Sequence, residues 1–436
     1  MPVARLVRRR RWFRRGAAPV WLCAAAVVLA GCGHSAGAKP GASGTGGSRL
    51  TFGAWRAESS GTRQPLYAVA CLSALRCEAV GAAGTILSTV DGGTTWQAQA
   101  NPLQGSTKIL YRIACVPPGS CYVIARPDTI LVTHDGGATW SSHVLSLAGV
   151  GANLTDQACL SGNEPSLRGP ALCRLGLLDI ACVSARICSA VATAPPAYGS
   201  LPSSAHAATP PSSVWTTSDA GASWARQPVP PGVTCTEGDC TATLSPYPLV
   251  WISCLGSGLC RAGGGYFGGC GHCGYVYAVI AAVRPGAPWT MLTCPSPSPG
   301  GGRIRACWRA LLALHPFPRG MPFSPDDADC PTSDRCYGVY TTSPFDPGNG
   351  VYWSADRGEL WLGGPSGSRS ARNDVACPAA LTCYTVGDQG TITRTANGTA
   401  FVPDGRPTSR SLQGITCVDA AICYAVGDNG TILARK

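Results

Sequence analysis

Charge is scarce in this chain. Only 13% of its 436 residues are Asp, Glu, Lys or Arg, six are histidine, and Glu58, Glu78, Glu164, Glu237 and Glu359 are its only glutamates. With so few acid–base groups, no Ser/His/Asp or Cys/His catalytic arrangement can be defended from spacing. The apolar run from Ala17 to Ala30 falls short of the ~20 residues that span a bilayer. Formal net charge is +11, but Arg5, Arg8, Arg9, Arg10, Arg11, Arg14 and Arg15 all precede residue 32, with no acid among them. Without residues 1–31 the balance is 11 − 7 = +4, and no Lys/Arg-rich run remains, so no nucleic-acid partner is implied.

What the chain has is glycine, proline and cysteine: 55, 36 and 24 residues. Turn-rich, charge-poor segments of this kind point to short strands and an all-β fold. Two cysteines with five residues between them recur seven times: Cys71 and Cys77, Cys115 and Cys121, Cys182 and Cys188, Cys254 and Cys260, Cys330 and Cys336, Cys377 and Cys383, Cys417 and Cys423. The surrounding text repeats with them, as in "VACPAALTCYTVGDQGTIT" and "ITCVDAAICYAVGDNGTIL". A repeat this regular defines the architecture, and so many paired cysteines persist only in an oxidising compartment. Zinc needs four ligands at closer spacing, which separated pairs do not supply. Setting aside Cys23 and Cys32 leaves an even number of cysteines, as full pairing requires. Cys159 and Cys173, Cys235 and Cys240, Cys270 and Cys273, and Cys294 and Cys307 are neighbours in sequence, and their connectivity stays open.

The N-terminus reads as a targeting segment, a basic stretch followed by the apolar run. Its end, Leu29-Ala30-Gly31-Cys32, resembles the lipobox of bacterial lipoproteins. The resemblance implies a diacylated Cys32 as the mature N-terminus and a membrane anchor on the extracytoplasmic side. A plain signal peptide is the alternative. Arg10-Arg11 hints at twin-arginine export, but that route folds its cargo in a reducing cytosol, so general secretion fits better. Residues 32–50 read as a flexible tether.

A second motif follows the cysteine pairs. Thr89–Trp96, "TVDGGTTW", and Thr133–Trp140, "THDGGATW", have looser copies in Thr217–Trp224 and Ser354–Trp361. These resemble the Asp-boxes of sialidase-type β-propellers. An Asp carboxylate here can close an Asx-type turn, a glycine takes the positive φ, and the Trp buries a large face between blades. Arg284–Trp289 and Ala396–Phe401 are degenerate copies. The seventh unit stops before any box, while Phe52-Gly-Ala-Trp55 precedes the first unit with nothing of its own to follow. Pairing the two ends closes a ring of seven four-stranded blades. In the first blade, strand a is expected over Leu66–Cys71 and strand b from Cys77 to Gly81. Strand c is expected over "TIL" and strand d at the Trp, each cysteine pair facing across strands a and b at ~4.4–6.8 Å between Cα atoms.

Residues 51–436 resemble the Asp-box propellers similar to the photosystem II assembly and stability factor, with "AVGAAGTILSTVDGGTTW" over 79–96 as the local match. The resemblance implies a seven-bladed propeller that binds proteins or aids assembly, with no chemistry and no cofactor. The cysteine pairs depart from the family, so its photosystem role does not carry over. The competing relatives are sialidases, whose chemistry needs an arginine cluster and a Tyr–Glu pair, and a glycan is the alternative ligand. Tyr111-Arg112 faintly suggests a sialidase start, but reads better as core plus one surface charge.

The a–b loops and Asp-boxes fall on one face. Long insertions fall on the other, at 141–178, 194–213, 227–250, 265–274, 292–329 and 343–350, and carry the eight unrepeated cysteines. This disulfide-stiffened crown is the expected recognition surface. Tyr266, Phe267, His272, Trp308, His315, Phe345 and Asp346 are its contact candidates. Cys270-Gly-His272-Cys273 could ligate a metal, but disulfides fit an oxidising compartment better.

Overall fold

The structure, a computed structural model, describes residues 54–147, 176–193, 212–230, 232–236, 239–245, 249–267, 275–282, 284, 286–292, 320–321, 325–340, 350–358 and 361–436. It shows seven antiparallel sheets following one another along the chain. In the first, Leu66–Cys71 (strand a) pairs with Cys77–Gly81 (b), then Ile86–Thr89 (c), then Gln97–Ala98 (d). Strands a and b have the expected bounds. The inner strands of the next six blades are Leu110–Val116, Gly176–Ser184, Trp251–Cys254, Asp327–Asp329, Arg372–Ala379 and Leu412–Cys417. The last sheet takes its outer strand from the N-terminal side: Arg56–Glu58 pairs with Thr431–Arg435 in the register Arg56↔Ala434 and Glu58↔Ile432. The ring is thereby closed with both ends of the body in one blade, as the unpaired Trp55 segment implied.

Two blades carry extra strands. In the fourth, a hairpin of Gly232–Thr236 and Asp239–Ser245 adds to strand c, Tyr275–Ala282, and Cys235 faces Cys240 in its register. In the fifth, Gly320–Met321 pairs with Trp361–Gly363.

All seven repeated cysteine pairs are disulfides, but their spacing corrects the sequence expectation. The Cα atoms of Cys71 and Cys77 lie 3.9 Å apart. Those of Cys182 and Cys188, Cys254 and Cys260, and Cys330 and Cys336 lie 4.0 Å apart. Those of Cys115 and Cys121, Cys377 and Cys383, and Cys417 and Cys423 lie 4.1 Å apart. Every pair is closer than the expected range. Hydrogen bonding explains the approach. The Leu72 amide donates to the Arg76 carbonyl, and Val418 to Ile422, so the cysteines one step back form the non-hydrogen-bonded pair, the closer of the two kinds. The second cysteine of each pair is sunk in the core: Cys77, Cys121, Cys188, Cys260, Cys336, Cys383 and Cys423 are all buried, and in the fifth blade Cys330 is buried with its partner.

The Asp-boxes are turn devices. The Asp91 carboxylate accepts from the Thr95 amide (2.9 Å) and hydroxyl (2.6 Å), while the Gly93 amide donates to the Thr89 hydroxyl (2.8 Å). Asp135 and Asp219 repeat the pattern with Thr139 and Ser223. The hydroxyl and amide donors pull all three carboxyls down to about 2. The first box also bonds to the a–b loop of its own blade, through the Gly92 amide and the Leu75 carbonyl, so the two share a face.

In five of the seven blades the residue after the second cysteine hydrogen-bonds to the next blade. Tyr122 donates its hydroxyl to the Ala185 carbonyl, Tyr337 to Ala380 and Tyr384 to Ala420, each at 2.7 Å, and Tyr424 to Gly92 at 2.8 Å. Every one of these rings meets the next blade's Asp-box aromatic, or Trp55, edge to face: Tyr122–Trp224, Tyr337–Phe401, Tyr384–Trp55 and Tyr424–Trp96, with centroids 6.1–6.4 Å apart. Such a pair contributes ~0.5–1.5 kcal/mol beyond the area it buries. Arg261 takes the same role between the fourth and fifth blades, donating to the carbonyls of Thr332 and Ser333. Glu78 and Ser189 fill the position elsewhere. Between the blades, apolar clusters such as Leu66, Ala79, Leu87, Val426 and Ile432 form the core.

Candidate functional site on the propeller axis

One position of the repeat, three residues before the first cysteine, reads Ala68, Arg112, Asp179, Trp251, Asp327, Asp374 and Gly414 around the ring. In five blades the a–b register slips immediately before this residue: Leu66/Ala68, Leu110/Arg112, Leu177/Asp179, Arg372/Asp374 and Leu412/Gly414. The extra residue is the one preceding it, Tyr111 in the second blade, and a bulge re-aims the side chains beside it. One arginine and three aspartates from four inner strands thus come together.

Arg112 is the hub. Its Nη2 donates to Asp327 Oδ2 at 3.0 Å, and its Nε lies 3.7 Å from Asp179 Oδ1. These contacts run from the second blade to the third and the fifth. Arg112 has 14% of its side chain exposed, and Asp179 and Asp327 have 11% each. The reading of Arg112 as a surface charge is therefore corrected: the bulge turns it inward, onto carboxylates that other strands supply. Its guanidinium also stacks on the Tyr111 ring, 4.9 Å from the centroid, where Arg126 lies at 5.2 Å.

The carboxylates are tied to backbone as well. Asp179 accepts from the amides of Ile180 (2.9 Å) and Ile252 (2.7 Å), the second in the fourth blade. Asp374 accepts likewise from Val375 (2.9 Å) and from Ile415 in the seventh (2.7 Å). Asp329, two residues beyond Asp327, accepts from the Cys377 amide of the sixth blade at 2.8 Å. Ser253 links the fourth blade to the fifth by accepting from the Cys330 amide at 3.1 Å. The axis is a polar seam stitching successive inner strands together.

Burial governs the protonation of this seam. It pushes Asp179 up to about 7, aided by Asp327 and opposed by Arg112 and the two amides. Burial lifts Asp329 to about 6 against the Cys377 amide. Asp374 is raised well above the carboxylate range by burial, then by Asp327, to which its carboxyl is hydrogen-bonded. That contact between carboxyls needs a proton between them. Burial also disfavours charge on Arg112, but Asp327, Tyr111, Asp374 and Asp179 more than offset it and hold the proton on. A second buried acid, Glu78 in the first blade, is pushed up to about 8 by burial, against a hydrogen bond from Ser88 and the charge of Arg76. Among the described residues no three His, Cys, Asp or Glu side chains are grouped to hold a metal ion.

Of the contact candidates, Tyr266 and Phe267 stand in strand b of the fourth blade, opposite Val276 and Tyr275. That strand, Cys260–Phe267, runs on into a long b–c hairpin. His272, Trp308, His315, Phe345 and Asp346 lie outside the described residues, as do Cys32, Cys159, Cys173, Cys270, Cys273, Cys294 and Cys307. The axial cluster was missed by reading motifs along the chain. Stacking the repeats into columns would have exposed it, since one column holds an arginine and three aspartates.

Residues 48–158 match the family described as photosynthesis system II assembly factor YCF48. No curated protein matches the chain in sequence. Two solved structures share its fold over 88% of its length at 15% identity. One is described as "YCF48 bound to D1 peptide", covered over 96% with a TM-score of 0.53. The other is YCF48 from Cyanidioschyzon merolae, covered over 98% with a TM-score of 0.54. A GH74 enzyme from Niastella koreensis is similar at 12% identity and a TM-score of 0.51, with 53% of its own chain covered. At these identities the likeness is one of fold. The chain is a seven-bladed Asp-box β-propeller whose residues 48–158 carry the signature of the YCF48-like assembly factors.

Proposed function

We propose that this protein is a lipid-anchored, extracytoplasmic propeller that binds a protein partner and serves as a non-catalytic assembly scaffold. The observation that carries the reading is the pairing of the YCF48-type match over 48–158 with a whole-body fold like that of a propeller described with a bound peptide. The axis adds support. Acid catalysis needs carboxyls free to reach a substrate, and Asp179, Asp329 and Asp374 each accept an amide from the next blade. The GH74 likeness is one of fold and brings no residues with it.

The anchor reading rests on Leu29-Ala30-Gly31-Cys32. Two acyl chains hold a protein on a membrane where one does so only marginally. Cys32→Ser should release the chain from the membrane fraction, and retention of that variant would refute lipidation. In-membrane crosslinking of the full chain should recover one partner, and recovery should fall when Tyr266 and Phe267 become alanine. Turnover of sialosides or β-glucans by the purified body would overturn the scaffold reading.

A further inference from the structure

Four of the exposed large apolar side chains among the described residues share one face of the ring. Leu381 and Val418 stand in the a–b loops of the sixth and seventh blades, Leu75 in that of the first, and Val90 in the first Asp-box. Their exposures are 43%, 38%, 59% and 65%. These three blades are consecutive round the closed ring. Tyr384 bonded to Ala420, and Tyr424 to Gly92, hold their turns side by side. Charge is thin here. The a–b loops and Asp-boxes of the three blades carry only Arg76, Asp91 and Asp419, whereas those of the fifth carry Asp334, Arg335, Asp356 and Arg357. Asp91 is turned onto Thr95, and Asp419 accepts from the amides of Ala421 (2.7 Å) and Ile422 (2.8 Å). Arg76 folds over Gly136 of the second blade. Beside them Lys436 is paired with Glu58 at 2.9 Å.

The chain enters the body in the middle of this sector. In the first blade, strand d leads off from Trp96 on the Asp-box face. In the seventh, strand d is Arg56–Glu58, and Trp55 takes the aromatic's place against Tyr384. What precedes Trp55 therefore joins the body on the Asp-box face, at the blade between Leu381 and Leu75. Cys32 stands about 20 residues upstream, and a Gly/Ser-rich chain of that length has an r.m.s. reach of roughly 25 Å.

We propose that the Asp-box face of the sixth, seventh and first blades rests on the lipid surface that holds the anchor, with Leu75, Val90, Leu381 and Val418 set into it. Four side chains fall short of the ~1,000 Å² that a stable protein interface buries. A tether makes the contact intramolecular, at an effective concentration on the order of millimolar, so a weak apolar contact suffices. The face that carries the insertions is then turned away from the membrane, toward a partner. This surface rests on the anchor reading, and flotation separates the two failures.

The test is hydroxyl-radical footprinting of the full lipidated chain in phosphatidylcholine vesicles, against the Cys32→Ser chain in solution. Val144, 70% exposed on strand d of the second blade, is the internal standard. Oxidation of Leu75, Val90, Leu381 and Val418 should fall at least threefold on the vesicles while Val144 stays unchanged. Leu75→Glu with Val418→Glu should return Val90 and Leu381 to their solution level on a chain that still floats. A chain that does not float with the vesicles refutes the anchor and the surface together. A chain that floats with all five side chains oxidised as in solution refutes the surface alone. Protection of the Cys32→Ser chain that grows with its concentration would assign the patch to a second copy and overturn the proposal, as would protection that the double variant leaves intact.

Discussion

Arg112 on the inner strand of the second blade donates to Asp327 on that of the fifth at 3.0 Å. Blades that are not neighbours in the ring are thus joined by one ion pair. Removing one partner of a buried pair leaves the other charge uncompensated, at a cost of ~3–5 kcal/mol. Arg112→Met should destabilise the body by about that much. Arg112→Met with Asp327→Leu should recover part of the loss, since replacing both ends with apolar groups is close to neutral. Denaturant unfolding of the four proteins in the cycle measures the coupling, and additive losses would show that the pair contributes nothing.

Stability should fall as pH rises from about 4 to 8. Asp329, Asp179 and Glu78 are raised to about 6, 7 and 8. Over that window the folded state binds more protons than the unfolded one, so the stability held at low pH is lost as each group ionises. The Asp-box carboxyls at about 2 act in the opposite sense, their contribution being lost only on acidification below about 4. The melting temperature should peak near pH 4–5, and Asp179→Asn should flatten the decline toward neutrality. A melting temperature that rises from pH 5 to 7 would contradict this.

Tyr122→Phe should cost about 1–2 kcal/mol, because it leaves the Ala185 carbonyl without the donor it has at 2.7 Å. Tyr122→Ala should cost about 3–5 kcal/mol, by adding the cavity of a lost ring. Urea unfolding of the two variants separates the hydroxyl from the ring.

Replacing Cys71 and Cys77 together by serine should cost on the order of 2 kcal/mol, the loop being only six residues in separation. The variant should keep its fold, seen as an unchanged far-ultraviolet spectrum with a lowered urea midpoint. Loss of the fold on removing this one bridge would mean that the inter-blade contacts are weaker than the packing around Leu66 and Val426 indicates.

Local spacing made much of the fold legible. The seven cysteine pairs, strands Leu66–Cys71 and Cys77–Gly81, the Asp-box turns and the closing role of the Trp55 segment all depend on residues near one another in the chain or at its two ends. The close approach of pairs such as Cys115 with Cys121 was not legible, because it depends on which rung of the ladder the cysteines occupy. Nor was the axis. The surroundings of Arg112 come from residues 179, 327 and 374, and a bulge decides which way it points. The inter-blade role of Tyr122, Tyr337, Tyr384 and Tyr424 is likewise visible only once the blades stand side by side. His272, Trp308, His315, Phe345 and Asp346 stay as sequence expectations outside the described residues.

The central claim is that aspartates from several inner strands meet, buried, around Arg112. Carbon-13 titration of the aspartate carboxyls in the intact body tests it most directly. The account predicts one carboxyl titrating near 6 and one near 7, assigned by Asp329→Asn and Asp179→Asn, and three near 2 from the Asp-boxes. Aspartates that all titrate near the unperturbed value of about 3.9 would contradict it.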